Sequence, residues 1–128
     1  MGGYERRPLS QDVLIADDDP RIASALRQYL SGFTSRCFPA PVSVTGSPTE
    51  ARRWLEKKAG ILVLDSSVFF KMGIPVSELP ARAIIWSDDH ELLARARQQG
   101  LAALPKGSLE ELMLLVREIG PLDGSDAA

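Results

Sequence analysis

The chain has 128 residues, 45% apolar and 25% charged, enough to bury one core and too few for two folded units of ordinary size. Its formal charge is -2 with arginine and lysine scattered, which argues against nucleic acid binding, since affinity for phosphate backbones rests on clustered cations. No apolar run approaches the ~20 residues of a membrane helix, and Met1–Arg7 is not followed by the apolar segment of a signal peptide. The single cysteine, Cys37, excludes an internal disulfide framework and reads as a small, semi-buried hydrophobe in a reducing cytoplasm.

After an N-terminal extension over residues 1–11, Asp12-Val-Leu-Ile-Ala16 is a short apolar strand ending in Asp17-Asp18-Asp19-Pro20. Pro20 suits a first helical position with Asp19 as N-cap, and apolar residues at 22, 26, 29 and 30 predict a helix that stops at Gly32. Val42-Ser-Val-Thr45 alternates as a half-buried strand. Ser47-Pro-Thr-Glu50 is a capping box opening a helix lined by Ala51, Trp54 and Leu55 and closed by Gly60. Its basic pairs, Arg52-Arg53 and Lys57-Lys58, read as a solvated face. Ile61-Leu-Val-Leu64 is a fully buried strand delivering Asp65 to its carboxyl end.

Residues 66–81 are interrupted by Gly73, Pro75 and Pro80 and leave room for one or two helical turns, with Phe69, Phe70, Met72, Ile74 and Val76 expected to fold back over the sheet, the alternative being an exposed apolar patch that marks a partner surface. Ala83-Ile-Ile-Trp86 is a fourth strand ending at Ser87, and Asp88 or Asp89 caps the helix carrying Leu92, Leu93 and Ala96 up to Gly100. Leu101–Pro105 is a fifth strand delivering Lys106. Ser108-Leu-Glu-Glu111 opens a last helix, with Leu109, Leu112, Met113, Val116 and Ile119 at helical spacing, which ends at Gly120. Residues 121–128 read as a flexible tail, leaving a domain over 12–120.

Five alternations of strand and helix with short turns predict an α/β fold of the flavodoxin-like (βα)5 kind. Its parallel, doubly wound sheet has the order 2-1-3-4-5, and its third helix is shortened. Parallel strands bring Asp17, Asp18, Asp65, Ser87 and Lys106 to one edge, where open α/β sheets collect ligands. Three carboxylates there repel one another unless a cation intervenes, and the hard oxygen donors suit Mg²⁺. Lys106 adds a fixed positive charge and Ser87 a hydroxyl donor.

The runs Val13-Leu-Ile-Ala-Asp-Asp-Asp-Pro20, Ile61-Leu-Val-Leu-Asp65, Ile84-Ile-Trp-Ser87 and Leu104-Pro-Lys-Gly-Ser108 together resemble the receiver domains of two-component response regulators. The resemblance implies that Asp65 is a phosphoacceptor, that Asp17, Asp18, Asp65 and the backbone carbonyl of Ser67 hold Mg²⁺, and that Ser87 and Lys106 contact the phosphoryl oxygens. It implies a sensor histidine kinase or phosphotransfer protein as donor and a downstream protein partner or effector domain as output. It further implies pairing of two copies through the fourth helix, fifth strand and fifth helix, near Asp89 to Arg117. Any catalysis is confined to the chain's own phosphorylation and dephosphorylation, so the protein is not expected to be an enzyme.

Three features depart from that pattern. Ala103 stands where the family often carries an aromatic switch residue, Asp88 stands where a small residue is usual, and the segment between Asp65 and Ser87 is short. They support an alternative, a pseudo-receiver that binds partners without phosphate. Asp88 or another side chain filling the space beside Asp65, or a Lys106 ammonium turned away from it, would mark that alternative. His90 reads as solvated, and Trp54 and Trp86 as core residues. A haloacid-dehalogenase phosphatase is disfavoured by Arg21 after Asp17-x-Asp19, and a nucleotide or flavin site by the missing Gly-rich loop after the first strand.

Overall fold

The computed structural model describes residues 12–37, 41–58 and 60–127, with side-chain surroundings described for 12–32, 41–58 and 60–118. The extension 1–11 and the Cys37 side chain lie outside these. Five strands, β1 (Val13–Ala16), β2 (Val42–Thr45), β3 (Ile61–Leu64), β4 (Ala83–Trp86) and β5 (Ala102–Leu104), alternate with α1 (Pro20–Cys37), α2 (Pro48–Glu56), α3 (Ser66–Met72), α4 (His90–Gln98) and α5 (Leu109–Ala127). The strands are all parallel, in the order β2-β1-β3-β4-β5, as the sequence predicts.

β1, β3 and β4 are buried at every residue, whereas Ser43 and Val44 of β2 are exposed. Central parallel strands are covered on both faces, which explains their continuous apolar runs. One face carries Leu62, Leu64 and Ile85 under α2, α3 and α4; the other carries Ile61, Val63 and Ile84 under α1 and α5. Full burial of each such side chain is worth about 1.5–3 kcal/mol, so β3, with no residue more than 1% exposed, anchors the sheet.

α3 has seven residues and ends at Gly73 in the left-handed conformation, and a 3-10 turn follows at Val76–Glu78. The third helix is thus short, and the segment folds back over the sheet: Phe69 and Met72 of α3 and Val76 and Leu79 after it are buried, while Phe70 is 53% exposed. Trp86 is a core residue and Trp54 packs against the core edge.

Two helix ends differ from the sequence reading. α1 continues through Gly32 to Cys37, and α5 continues through Gly120 and Pro121 to Ala127. Glycine and proline cost a helix interior about 1 and 3 kcal/mol without forbidding it, so neither residue is an obligatory stop. Among the described residues of α1, Ala23, Leu26 and Leu30 are buried and Ile22 and Tyr29 turn outward; among those of α5, Leu112 and Val116 are buried and Leu109 and Leu114 exposed.

Candidate functional site

The order β2-β1-β3 reverses direction between β1 and β3, and Asp17 and Asp65 leave those two strands at their carboxyl ends. Ligands of open α/β sheets bind at such a reversal. The register pairing Ala16 with Leu64 puts the two acids side by side, and the bond from the Asp65 amide to the Ala16 carbonyl, 2.9 Å, extends that pairing by one residue. Asp17 and Asp65 are buried and Asp18 is exposed. One oxygen from each of the three carboxylates lies within 4.8 Å of the other two.

Lys106 reaches into this cluster from the loop after β5. Its ammonium donates to Asp65 Oδ1 at 2.6 Å and to Asp17 Oδ2 at 3.1 Å. Asp65 Oδ2 accepts from the backbone N–H of Ser67 at 2.9 Å and from the Ser67 hydroxyl. The carboxylate therefore caps α3 and faces the cluster at once, one oxygen assigned to each task. Burial raises the Asp65 pKa, but the bonds from Lys106 and Ser67 outweigh it and hold the carboxyl below its ordinary value. Burial likewise lowers Lys106, and the bonds to Asp65 and Asp17 outweigh it, so the ammonium is held above its ordinary value. Both groups are ionised at neutral pH.

Asp18 forms a 3.8 Å ion pair with Lys71, an exposed contact of small energetic weight that leaves its carboxylate available to the cluster. Asp17 Oδ1 accepts from the Asp19 N–H at 2.9 Å and Asp19 accepts from the Arg21 N–H at 3.0 Å, which shapes the turn into α1. Ser87 is 1% exposed, and its hydroxyl oxygen accepts from the Asp89 N–H at 3.0 Å.

The loop after β4 settles a choice that the sequence leaves open. Asp89 is the N-cap of α4, accepting from the Leu92 N–H at 3.0 Å. Asp88 is exposed and accepts instead from the backbone N–H of Lys106, at 3.1 Å. Of the marks of a pseudo-receiver, the Lys106 ammonium is not turned away, since it faces Asp65, and Asp88 turns its carboxylate to a backbone amide; the side chain set against Asp65 is instead the Ser67 hydroxyl. His90 is exposed at the start of α4. The Ser67 hydroxyl on Asp65 and the Asp88–Lys106 bond are not anticipated by the sequence reading.

The donor set fits a hard divalent cation: it consists of carboxylate oxygens from three residues close enough to share one ion, and the single Lys106 ammonium leaves net negative charge among them.

No family model matches the chain, and no curated protein does. Solved structures do. The signal receiver domain of a DNA binding response regulator protein from Colwellia psychrerythraea 34H superposes with a TM-score of 0.64 at 18% identity, over 84% of this chain and 95% of that one. The signal receiver domain of a protein described as a Luxo repressor, from Vibrio parahaemolyticus, gives 0.62 at 20% identity, over 94% and 92%. With its five parallel strands in the order 2-1-3-4-5 and an acidic cluster at their carboxyl edge, the chain has the fold of response-regulator signal receiver domains.

Proposed function

We propose that the chain is a two-component receiver that accepts a phosphoryl group on Asp65 and switches a protein-binding surface in response. The observation that carries this reading is the buried, ionised Asp65 carboxylate set among Asp17, Asp18 and Lys106 at the reversal point of the sheet. Asp17, Asp18, Asp65 and the backbone carbonyl of Ser67 are the proposed Mg²⁺ ligands. When bound there, Mg²⁺ supplies positive charge against the oxygens of the transferring group.

An Asp65 oxygen attacks phosphorus of a phosphohistidine or a small acyl phosphate. The new P–O bond forms as the bond to the leaving imidazole or carboxylate breaks, and the leaving group keeps the electron pair, a leaving imidazole taking its proton from solvent. Lys106 then offers its ammonium, and Ser87 its hydroxyl proton, to the phosphoryl oxygens. Water attack on the same phosphorus returns the carboxylate and inorganic phosphate. This chemistry acts on the chain itself, so the protein is not proposed as an enzyme on other substrates.

The proposed donor is a sensor histidine kinase or phosphotransfer protein, and the proposed output is a downstream protein or effector domain. Among the described residues no helix is long and apolar enough to cross a membrane, in keeping with a cytoplasmic setting and a protein partner. The surface of α4, β5 and α5, where Leu109 and Leu114 are exposed, is proposed for pairing of two copies. Two observations favour the pseudo-receiver reading: Ala103 is a buried alanine where an aromatic switch residue would sit, and the Ser67 hydroxyl is set against the Asp65 carboxylate.

A titration separates the two. In a Trp54→Phe background, Mg²⁺ is expected to change the fluorescence of Trp86, which adjoins Ser87, and beryllofluoride to change it further, with the second change lost in Asp65→Asn. A Trp86 signal indifferent to both additions would favour the pseudo-receiver.

A further inference from the structure

Lys106 is held at two ends. Its ammonium lies between Asp65 and Asp17, and its backbone N–H donates to the Asp88 carboxylate at 3.1 Å. Asp88 is followed directly by Asp89, the N-cap of α4. The start of α4 is therefore tied to the acidic cluster through three polar contacts in series: Asp65 to the Lys106 ammonium, the Lys106 amide to Asp88, and Asp89 to the Leu92 amide.

The other end of α4 is fastened separately. The Arg97 guanidinium donates through Nε at 3.2 Å and through a terminal nitrogen at 2.8 Å to the backbone carbonyl of Ala103 in β5. That fork fixes the helix to the edge strand with two bonds converging on one carbonyl oxygen, whereas the Asp88 contact is a single exposed bond. Of the two fastenings the Arg97 fork is the stronger and the Asp88 bond the more easily shifted. The Ala103 side chain has no ring to carry a signal outward; the Asp88 bond joins the Lys106 loop to the start of α4, beside the bond from the Ser87 N–H to the Leu104 carbonyl at 3.1 Å.

We propose that Asp88 is a positioning residue that relays displacement of Lys106 to the N-terminal turn of α4, with the Arg97–Ala103 fork as the fixed point about which that turn moves. The relay deepens the receiver reading by naming the residue that carries its output, yet its physical content, coupling between Lys106 and α4, does not depend on phosphate. It is therefore tested in the metal-free, unphosphorylated full chain.

Amide hydrogen exchange of residues 90–98 is measured in four proteins: the parent, Lys106→Met, Asp88→Ala and the double variant. Lys106→Met releases the ammonium anchor while keeping the stem. With Asp88 present it is expected to speed exchange of the first α4 turn by about fivefold or more, a coupling within the range seen for residues in one polar network. In the Asp88→Ala background the same substitution should change that exchange by less than about twofold. Asp88→Asn keeps an acceptor oxygen without the charge and is expected to restore the parental response, which a general loosening of the loop would not do. Equal effects of Lys106→Met with and without Asp88 would overturn the relay, as would failure of Asp88→Asn to restore the coupling. Loss of the receiver reading, seen as indifference of Trp86 to Mg²⁺ and beryllofluoride, leaves each of these outcomes readable.

Discussion

Replacing Lys106 by Met removes the cation between two buried carboxylates, Asp17 and Asp65. Breaking a fully buried pair costs roughly 3–5 kcal/mol; with the Lys106 side chain 23% exposed, about 2 kcal/mol is expected in EDTA. Added Mg²⁺ should recover more stability in this variant than in the parent, because the site then holds more uncompensated charge. Paired denaturant titrations with and without Mg²⁺ check both statements. The pH dependence follows from the same bonds. The Asp65 pKa is lowered on folding, so its contribution is complete above the ordinary carboxylate value and is lost as pH falls through the depressed one. The Lys106 pKa is raised, so its contribution is complete below the ordinary lysine value of 10.5 and is lost as pH rises beyond it. In Asp65→Asn, melting temperatures in EDTA should become less sensitive to pH below about pH 4 and, because Asp17 still holds the ammonium, only partly less sensitive above about pH 10.5.

At the scale of elements, apolar runs and turn chemistry gave away most of the chain. β1, β3 and β4 were legible because central parallel strands admit no polar residue, and α2 and α4 because Ser47 and Asp89 place a side-chain oxygen where the first free amides need one. The ends of α1 and α5 were not, since glycine and proline set a cost in a helix without stopping it. Two glycines illustrate the difference. Gly60 has φ +153°, and a Cβ there would lie 2.2 Å from the Asp12 carbonyl oxygen, close beside the Ile61-to-Asp12 bond that joins β3 to the start of β1. Gly73 has φ +72° with open space around it. Gly73→Ala is expected to cost about 1 kcal/mol, the price of a left-handed residue, and Gly60→Ala distinctly more, because the sheet itself must shift. Urea denaturation of the two variants side by side checks the order.

For the whole molecule, the candidate site was legible wherever it is made by strand ends: parallel order alone brings Asp17, Asp18, Asp65 and Lys106 together. What escaped the sequence depends on how loops approach one another in space. The Asp88 bond to Lys106 spans 18 positions and the bond from Arg52 to the Met72 carbonyl spans 20, and no periodicity announces either. The Ser67 hydroxyl on Asp65 is local, and a serine two residues after a helix-capping aspartate was its available signal. We propose that this arrangement makes Asp65 a phosphoryl acceptor, and intact-mass measurement of the full chain after incubation with acetyl phosphate and Mg²⁺ tests the proposal. The expected result is the added mass of one phosphoryl group, labile to hydroxylamine as an acyl phosphate is, absent in EDTA and absent in Asp65→Asn. No added mass in the parent protein, or the same added mass in Asp65→Asn, would contradict it.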